Sequence, residues 1–115
     1  MNPRIHVAVF DKDPLIRPLL ERWLLEAGYE VATLEEPERP ALVVADAPDP
    51  RAAQTLIRSL QEYAAPILIL SARFRRGLAG SAEAARSLGV KKVLPKPFTR
   101  KEFLSAVRES LKSEP

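Results

Sequence analysis

The chain has 115 residues, 46% of them apolar and 29% charged, the size and composition of one globular domain with a core of its own. It carries no cysteine and a single histidine, His6, which excludes disulfides, thiolate nucleophiles, thiolate zinc sites and histidine-built metal sites. Its longest apolar runs, residues 41–45 and 66–70, are far too short to cross a membrane, and no cleavable leader opens the sequence, so a cytoplasmic location without membrane contact is expected. The net charge of +3 is unevenly spread: residues 1–57 hold 6 basic and 10 acidic side chains, and residues 58–115 hold 12 and 5.

Short apolar runs alternate with helical periodicity. Ile5 to Phe10 reads as a strand, and residues 14–27 place Leu15, Ile16, Leu19, Leu20, Trp23, Leu24 and Ala27 at helical spacing, with Trp23 on the core face. Gly28 closes that helix as a C-terminal cap. Tyr29 to Leu34 is a second strand and Ala41 to Ala45 a third. A helix over 51–63 carries Leu56, Ile57 and Leu60, and Ile67 to Leu70 is a fourth strand. Ser81 to Leu88 is a short helix ended by Gly89, and Val90 to Leu94 is a fifth strand. Thr99 and Glu102 form a capping box that opens a last helix, on which Phe103, Leu104, Val107 and Leu111 share a face.

Strands alternating with helices predict an α/β fold around a parallel sheet, and nearly unbroken apolar strands fit burial on both faces. One connection departs from this rhythm. Only six residues, EEPERP with its two prolines, separate Leu34 from Ala41. Fully extended, they span roughly 20–24 Å, enough to return along one strand but not to form a helix. The helix between the second and third strands is therefore expected to be missing, which leaves one sheet face partly uncovered near the edge.

Function in such sheets lies beyond the carboxyl ends of the strands. All four aspartates of the chain follow apolar strands: Asp11, Asp13, Asp46 and Asp49, against eleven glutamates elsewhere. Asp13–Pro14 and Asp49–Pro50 read as helix starts, with Asp as N-cap and Pro at the first helical position. Asp11 and Asp46 end the first and third strands. If those strands are neighbours, the two carboxylates meet, and hard oxygen ligands there suit Mg²⁺. Ser71 ends the fourth strand and Lys96 follows the fifth, in Leu94–Pro95–Lys96–Pro97–Phe98. Two acids, a hydroxyl and an ammonium at one edge suit phosphoryl chemistry with a carboxylate nucleophile.

Over essentially its whole length the chain resembles the CheY-like receiver domains of response regulators, in VAVFDKDPLIRPLLERWLLEAGYEV, ALVVAD, PILILSA and VKKVLPKPF. The resemblance implies a flavodoxin-like five-stranded parallel sheet of order 2-1-3-4-5. It implies that Asp46 accepts a phosphoryl group from a histidine kinase, and that Asp11, Asp46 and the Pro48 carbonyl hold Mg²⁺. Ser71 and Lys96 would contact the phosphoryl group, and the Lys96–Pro97 bond would be cis. As a stand-alone receiver with no effector domain, residues 1–115 would act through a partner protein or a homodimer in two-component signalling.

The sequence also departs from the family. The second acid expected after the first strand is Lys12, which exchanges a negative for a positive charge where Mg²⁺ should bind and weakens that site. The alternatives are that Lys12 swings to solvent and the metal survives with water in its place, or that Lys12 pairs with Asp11 or Asp46 and occupies the cation's place. The aromatic expected in the fifth strand is Val93, and the glycine usual after the third strand is absent from Arg51–Gln54. The pattern is that of a degenerate receiver, in which phosphorylation is weak or replaced by phosphorylation-independent protein binding.

Two rival readings remain. Asp11–Lys12–Asp13 resembles the first motif of haloacid-dehalogenase-like phosphatases, with Asp11 as nucleophile and Asp13 as acid/base. However, Pro14–Leu15 stands where that family has Gly–Thr, and no acidic pair follows Lys96, so no enzyme is expected. The other is a pure protein- or nucleic-acid-binding module using Arg73–Arg76, Lys91 and Lys92. One aromatic among three arginines is a thin stacking platform, and nucleic acid is not the expected partner.

Overall fold

A computed structural model describes residues 5–32, 40–47, 50–71, 85–86 and 88–112, the side chains of Pro50 and Glu62 excepted. The expected crossover EEPERP, save Pro40, lies outside the described residues, as do Pro48, Asp49, the basic stretch Arg73–Arg76 and most of the helix expected over 81–88.

The apolar runs pair as five strands: β1 (His6–Phe10), β2 (Glu30–Val31), β3 (Leu42–Asp46), β4 (Ile67–Ser71) and β5 (Lys92–Pro95). They form one sheet of order β2-β1-β3-β4-β5, parallel at every pairing. The register sets Phe10 beside Ala45, Asp46 beside Leu70, and Ser71 beside Pro95. β3 and β5 start one and two residues later than the sequence suggests, and β2 is only two residues long. An edge strand flanked on one side only needs little pairing, and the amide of Ala32 adds one more bond, to the Val7 carbonyl.

Strand alternation sorts the apolar side chains into two cores. Val7, Val9, Leu42, Val44, Leu68, Leu70 and Leu94 face one side, and Ala8, Val43, Ala45, Ile67, Ile69 and Val93 face the other. The first side is covered by α1 (Ile16–Glu26) and α3 (Arg100–Leu111), which contribute Leu20, Leu24, Phe103, Ala106 and Val107. Trp23 and Phe98 pack on either side of the Phe103 ring, at 5.9 and 5.8 Å. The second side is covered by α2 (Pro50–Leu60) through Ala53, Ile57 and Leu60. Among the described residues no helix covers the part of that face next to β2, the place of the missing helix.

The caps follow the sequence. Gly28, at φ +96°, ends α1, with Gly28 N–H donating to the Leu25 carbonyl and Tyr29 N–H to that of Leu24. This pair of bonds requires a left-handed residue, which glycine adopts without a Cβ clash. Gly89, at φ +74°, closes a turn containing the helical Ala85 and Arg86 in the same way. Thr99 accepts from the Glu102 amide while Glu102 accepts from the Thr99 amide, so the capping box is formed. One expectation fails: Leu15 and Leu19 do not join the core, and Leu15 is 80% exposed. α1 rotates Ile16, Leu20, Trp23 and Leu24 onto the sheet, which leaves Leu19 about 100° away from that line.

Candidate functional site

The sheet order reverses between β1 and β3, and in open α/β sheets ligands bind in the crevice that opens there. Asp11 and Asp46 stand on the two sides of that crevice. The parity that turns Val7 and Val9 toward α1 continues to Asp11. The parity of Leu42 and Val44 continues to Asp46, and that of Leu94 to Lys96. Three short apolar alternations thus aim two carboxylates and one ammonium at a common point.

They meet there. Lys96 Nζ makes a close ion pair with Asp46 Oδ1 and lies 3.8 Å from Asp11 Oδ2. Lys96 is held at the edge by its own amide, which donates to the Ser71 carbonyl at 2.9 Å, and the Lys96–Pro97 bond is cis, as expected. The Asp11 side chain is only 2% exposed. Its Oδ1 accepts from the Asp13 amide at 2.9 Å, while its buried Oδ2 accepts no hydrogen bond from a described residue. A buried carboxylate oxygen without a donor needs a cation, and Lys96 supplies part of that charge.

Ser71 is fully buried at the end of β4, one strand from Asp46 and one residue beyond its register partner. Asp13 is spent on the entry to α1: its carboxylate accepts from the Leu15 and Ile16 amides, and its carbonyl accepts from Arg17. These bonds cap the turn that leads into α1, while the helix itself starts at Ile16 with Leu15 at its N-cap, two residues later than Asp13–Pro14 suggested. Lys12 is exposed and has no ion pair with a described residue, so the alternative in which it pairs with Asp11 or Asp46 gives way to the one in which it faces solvent. The cation between the acids is Lys96. Val93 is fully buried on β5 and brings no ring to the site.

A cavity of about 880 Å³ opens at this edge and runs onto the uncovered face. Its lining includes the apolar Ala8, Phe10, Ala32 and Leu56 together with the charged Asp11, Lys12, Arg17 and Asp46. The sequence predicted an uncovered face but not this cavity, whose signal was the shortness of the β2–β3 connection.

The donors suit Mg²⁺ in kind, since one or two carboxylates with water and a phosphate commonly hold it. The orphaned Asp11 Oδ2 is a place for such an ion. In charge the fit is weak, because Lys96 is already paired with both acids and Lys12 lines the same cavity. Among the described residues no three acidic or imidazole side chains gather as metal ligands. No described helix is long and apolar enough to cross a membrane.

The strand order, the helices on both faces and the acid pair at the switch point define the fold of response-regulator receiver domains. Solved structures agree. The chain superposes on a response regulator receiver protein from Burkholderia phymatum with a TM-score of 0.72 at 25% identity, over 94% of this chain and 95% of that one. A response regulator from Thermotoga maritima gives 0.74 at 20%, over 96% and 100%. The chemotaxis response regulator CheY4 of Vibrio cholerae gives 0.70 at 20%, over 95% and 100%. No family model and no curated protein matches the sequence.

Proposed function

We propose that this chain is a receiver of two-component signal transduction, with Asp46 as the phosphoacceptor and a histidine kinase or another signalling protein as its partner. The observation that carries this reading is the meeting of Asp11, Asp46 and Lys96 at the β1/β3 switch point. An Asp46 oxygen attacks phosphorus, the O–P bond forms, and the bond from phosphorus to the donor breaks, its electron pair leaving with the donor. Lys96 neutralises developing charge on the phosphoryl oxygens, and Ser71 donates to one of them. Such groups act without reorganising, because the strands already hold them in place.

Mg²⁺ would be held weakly by Asp11, Asp46 and the Pro48 carbonyl, where it adds positive charge against the phosphoryl oxygens. The hydrolase reading loses support because Asp13, its acid/base, is committed to capping the turn that leads into α1. A signalling protein or a second copy of the chain binds this receiver, in the cytoplasm.

The test is intact-mass spectrometry after incubation with acetyl phosphate and Mg²⁺. The expected product is a labile adduct of about 80 Da, one phosphoryl group, in the native chain and not in Asp46→Ala. Folded native protein that takes no adduct would refute the reading.

A further inference from the structure

Among the described residues three cations stand at the acid pair's cavity or against its acids, and they are not equivalent. Lys96 is committed to Asp46 and Asp11. Arg17 pairs with Glu21, Nε to Oε2 at 3.3 Å. Lys12 lines the same cavity, is exposed, and has no ion pair with a described residue. It directly follows Asp11 in the chain and lines the cavity that Asp11 and Asp46 also line.

The charges say what this uncommitted ammonium is for. Before reaction, Asp11 and Asp46 balance Lys96 and Lys12. Transfer of a phosphoryl group turns the single negative charge at Asp46 into nearly two. With Lys96 alone as cation, Asp11 and the phosphoryl group would leave a surplus of about two negative charges at the edge; with Lys12 turned in, the surplus is about one. A carboxylate in place of Lys12 would make it about three, and a divalent ion would bring that back to about one. Lys12 thus makes the same charge difference as a divalent ion added to an acid at its position.

We propose that Lys12 is a further phosphoryl-contacting residue that takes over the neutralising work of a divalent cation, so that phosphorylation of Asp46 in this chain does not require Mg²⁺. This rests on the receiver reading and deepens it. Lys12 turns from solvent onto the phosphoryl oxygens as they arrive. In the step itself, an Asp46 oxygen displaces acetate from acetyl phosphate: the new O–P bond forms, the acetyl O–P bond breaks, and acetate leaves with the electron pair. No proton and no co-reactant is needed. Weak Mg²⁺ binding is the other side of the same arrangement, because an entering ion meets two ammonium groups.

The experiment follows phosphorylation of the full chain by acetyl phosphate, by intact mass, in excess Mg²⁺ and in excess EDTA. The variants are Lys12→Ala and Lys12→Asp, with Lys101→Glu on α3 as a control for net charge. The native chain and the control are expected to be labelled at rates within about twofold of each other in the two media. Lys12→Ala is expected to slow about tenfold or more in EDTA, and Lys12→Asp to be labelled only with Mg²⁺. In calorimetric titration Lys12→Asp should bind Mg²⁺ about tenfold or more tightly than the native chain. Lys12 is exposed, so these variants leave the core untouched. Native labelling that vanishes in EDTA, or Lys12→Ala labelled in EDTA as fast as the native chain, overturns the role of Lys12 and leaves Asp46 as acceptor. No labelling of the native chain in either medium overturns both.

Discussion

Replacing Lys96 by methionine removes the one cation that the structure places between Asp11 and Asp46 and keeps most of its apolar stem. Two unit charges 3.8 Å apart attract by about 4 kcal/mol at an effective dielectric near 20, the distance being that from Lys96 Nζ to Asp11 Oδ2. Lys96 is 26% exposed while Asp11 is 2% exposed, so solvent screens part of this, and Asp11 has already lost its own hydration. The coupling left between the two is about 1–3 kcal/mol. Lys96→Met alone should cost about 2–4 kcal/mol, because it leaves a buried carboxylate with an unanswered oxygen. Asp11→Asn removes that charge and keeps the acceptor for the Asp13 amide, so in its background the loss from Lys96→Met should shrink by the coupling. The assay is a double-mutant cycle from urea unfolding, followed by fluorescence of Trp23, the sole tryptophan, which packs 5.9 Å from Phe103 and reports on the core. A coupling below about 0.5 kcal/mol, the usual limit of additivity, would refute Lys96 as the counter-ion of Asp11.

Two further perturbations probe the frame that holds the site. Phe103→Ala empties the space between Trp23 and Phe98 in a fully buried position, and should cost about 3–5 kcal/mol in urea unfolding; a loss under about 1 kcal/mol would mean that the three rings do not organise this core. Glu109 accepts a hydrogen bond from Lys92, which holds its carboxyl below the usual carboxylate value against a smaller opposing effect of burial. A depressed folded-state pKa gives stability that is present above the unfolded value, about 4.3, and is lost as pH falls through the folded one. Glu109→Gln should therefore lower the urea midpoint slightly at pH 7 and not below the carboxylate range, the pair being exposed and screened. An equal or larger deficit in acid would contradict that sign.

Much of this fold is written in local chemistry. Asp11, Asp46, Ser71 and Lys96 could be placed at strand ends because apolar runs of four to six residues stop at polar ones, and burial on both faces demands that change. Gly28 and Thr99 were legible because a left-handed turn and a helix start each call for particular residue types. The rotation of α1 was not. Leu15, Leu19 and Leu24 look alike in sequence, and only docking on β1 and β2 decides that Leu24 is buried and Leu15 exposed. The choice of Lys96 over Lys12 as cation between the acids was hidden for a similar reason. Lys12 adjoins Asp11 in the chain, but alternation along β1 sends neighbouring side chains to opposite faces, while Lys96 reaches Asp11 from two strands beyond β3, along the parity it shares with Leu94.

That same parity bears on how a signal would leave the site. Val93 faces the α2 side and is fully buried, so β5 offers no ring that a change at Asp46 could draw inward. Ser71, on the same side, is enclosed as well. Lys96 is different: it is the one member of the acid–ammonium cluster that also lines a second, apolar cavity, of about 380 Å³, with Ile16, Leu19, Trp23, Pro97 and Phe98. That cavity also takes in Phe98, whose ring stacks on Phe103 of α3 at 5.8 Å. Lys96, Phe98 and Phe103 are thus the contacts that join Asp46 to the α1 side of the sheet.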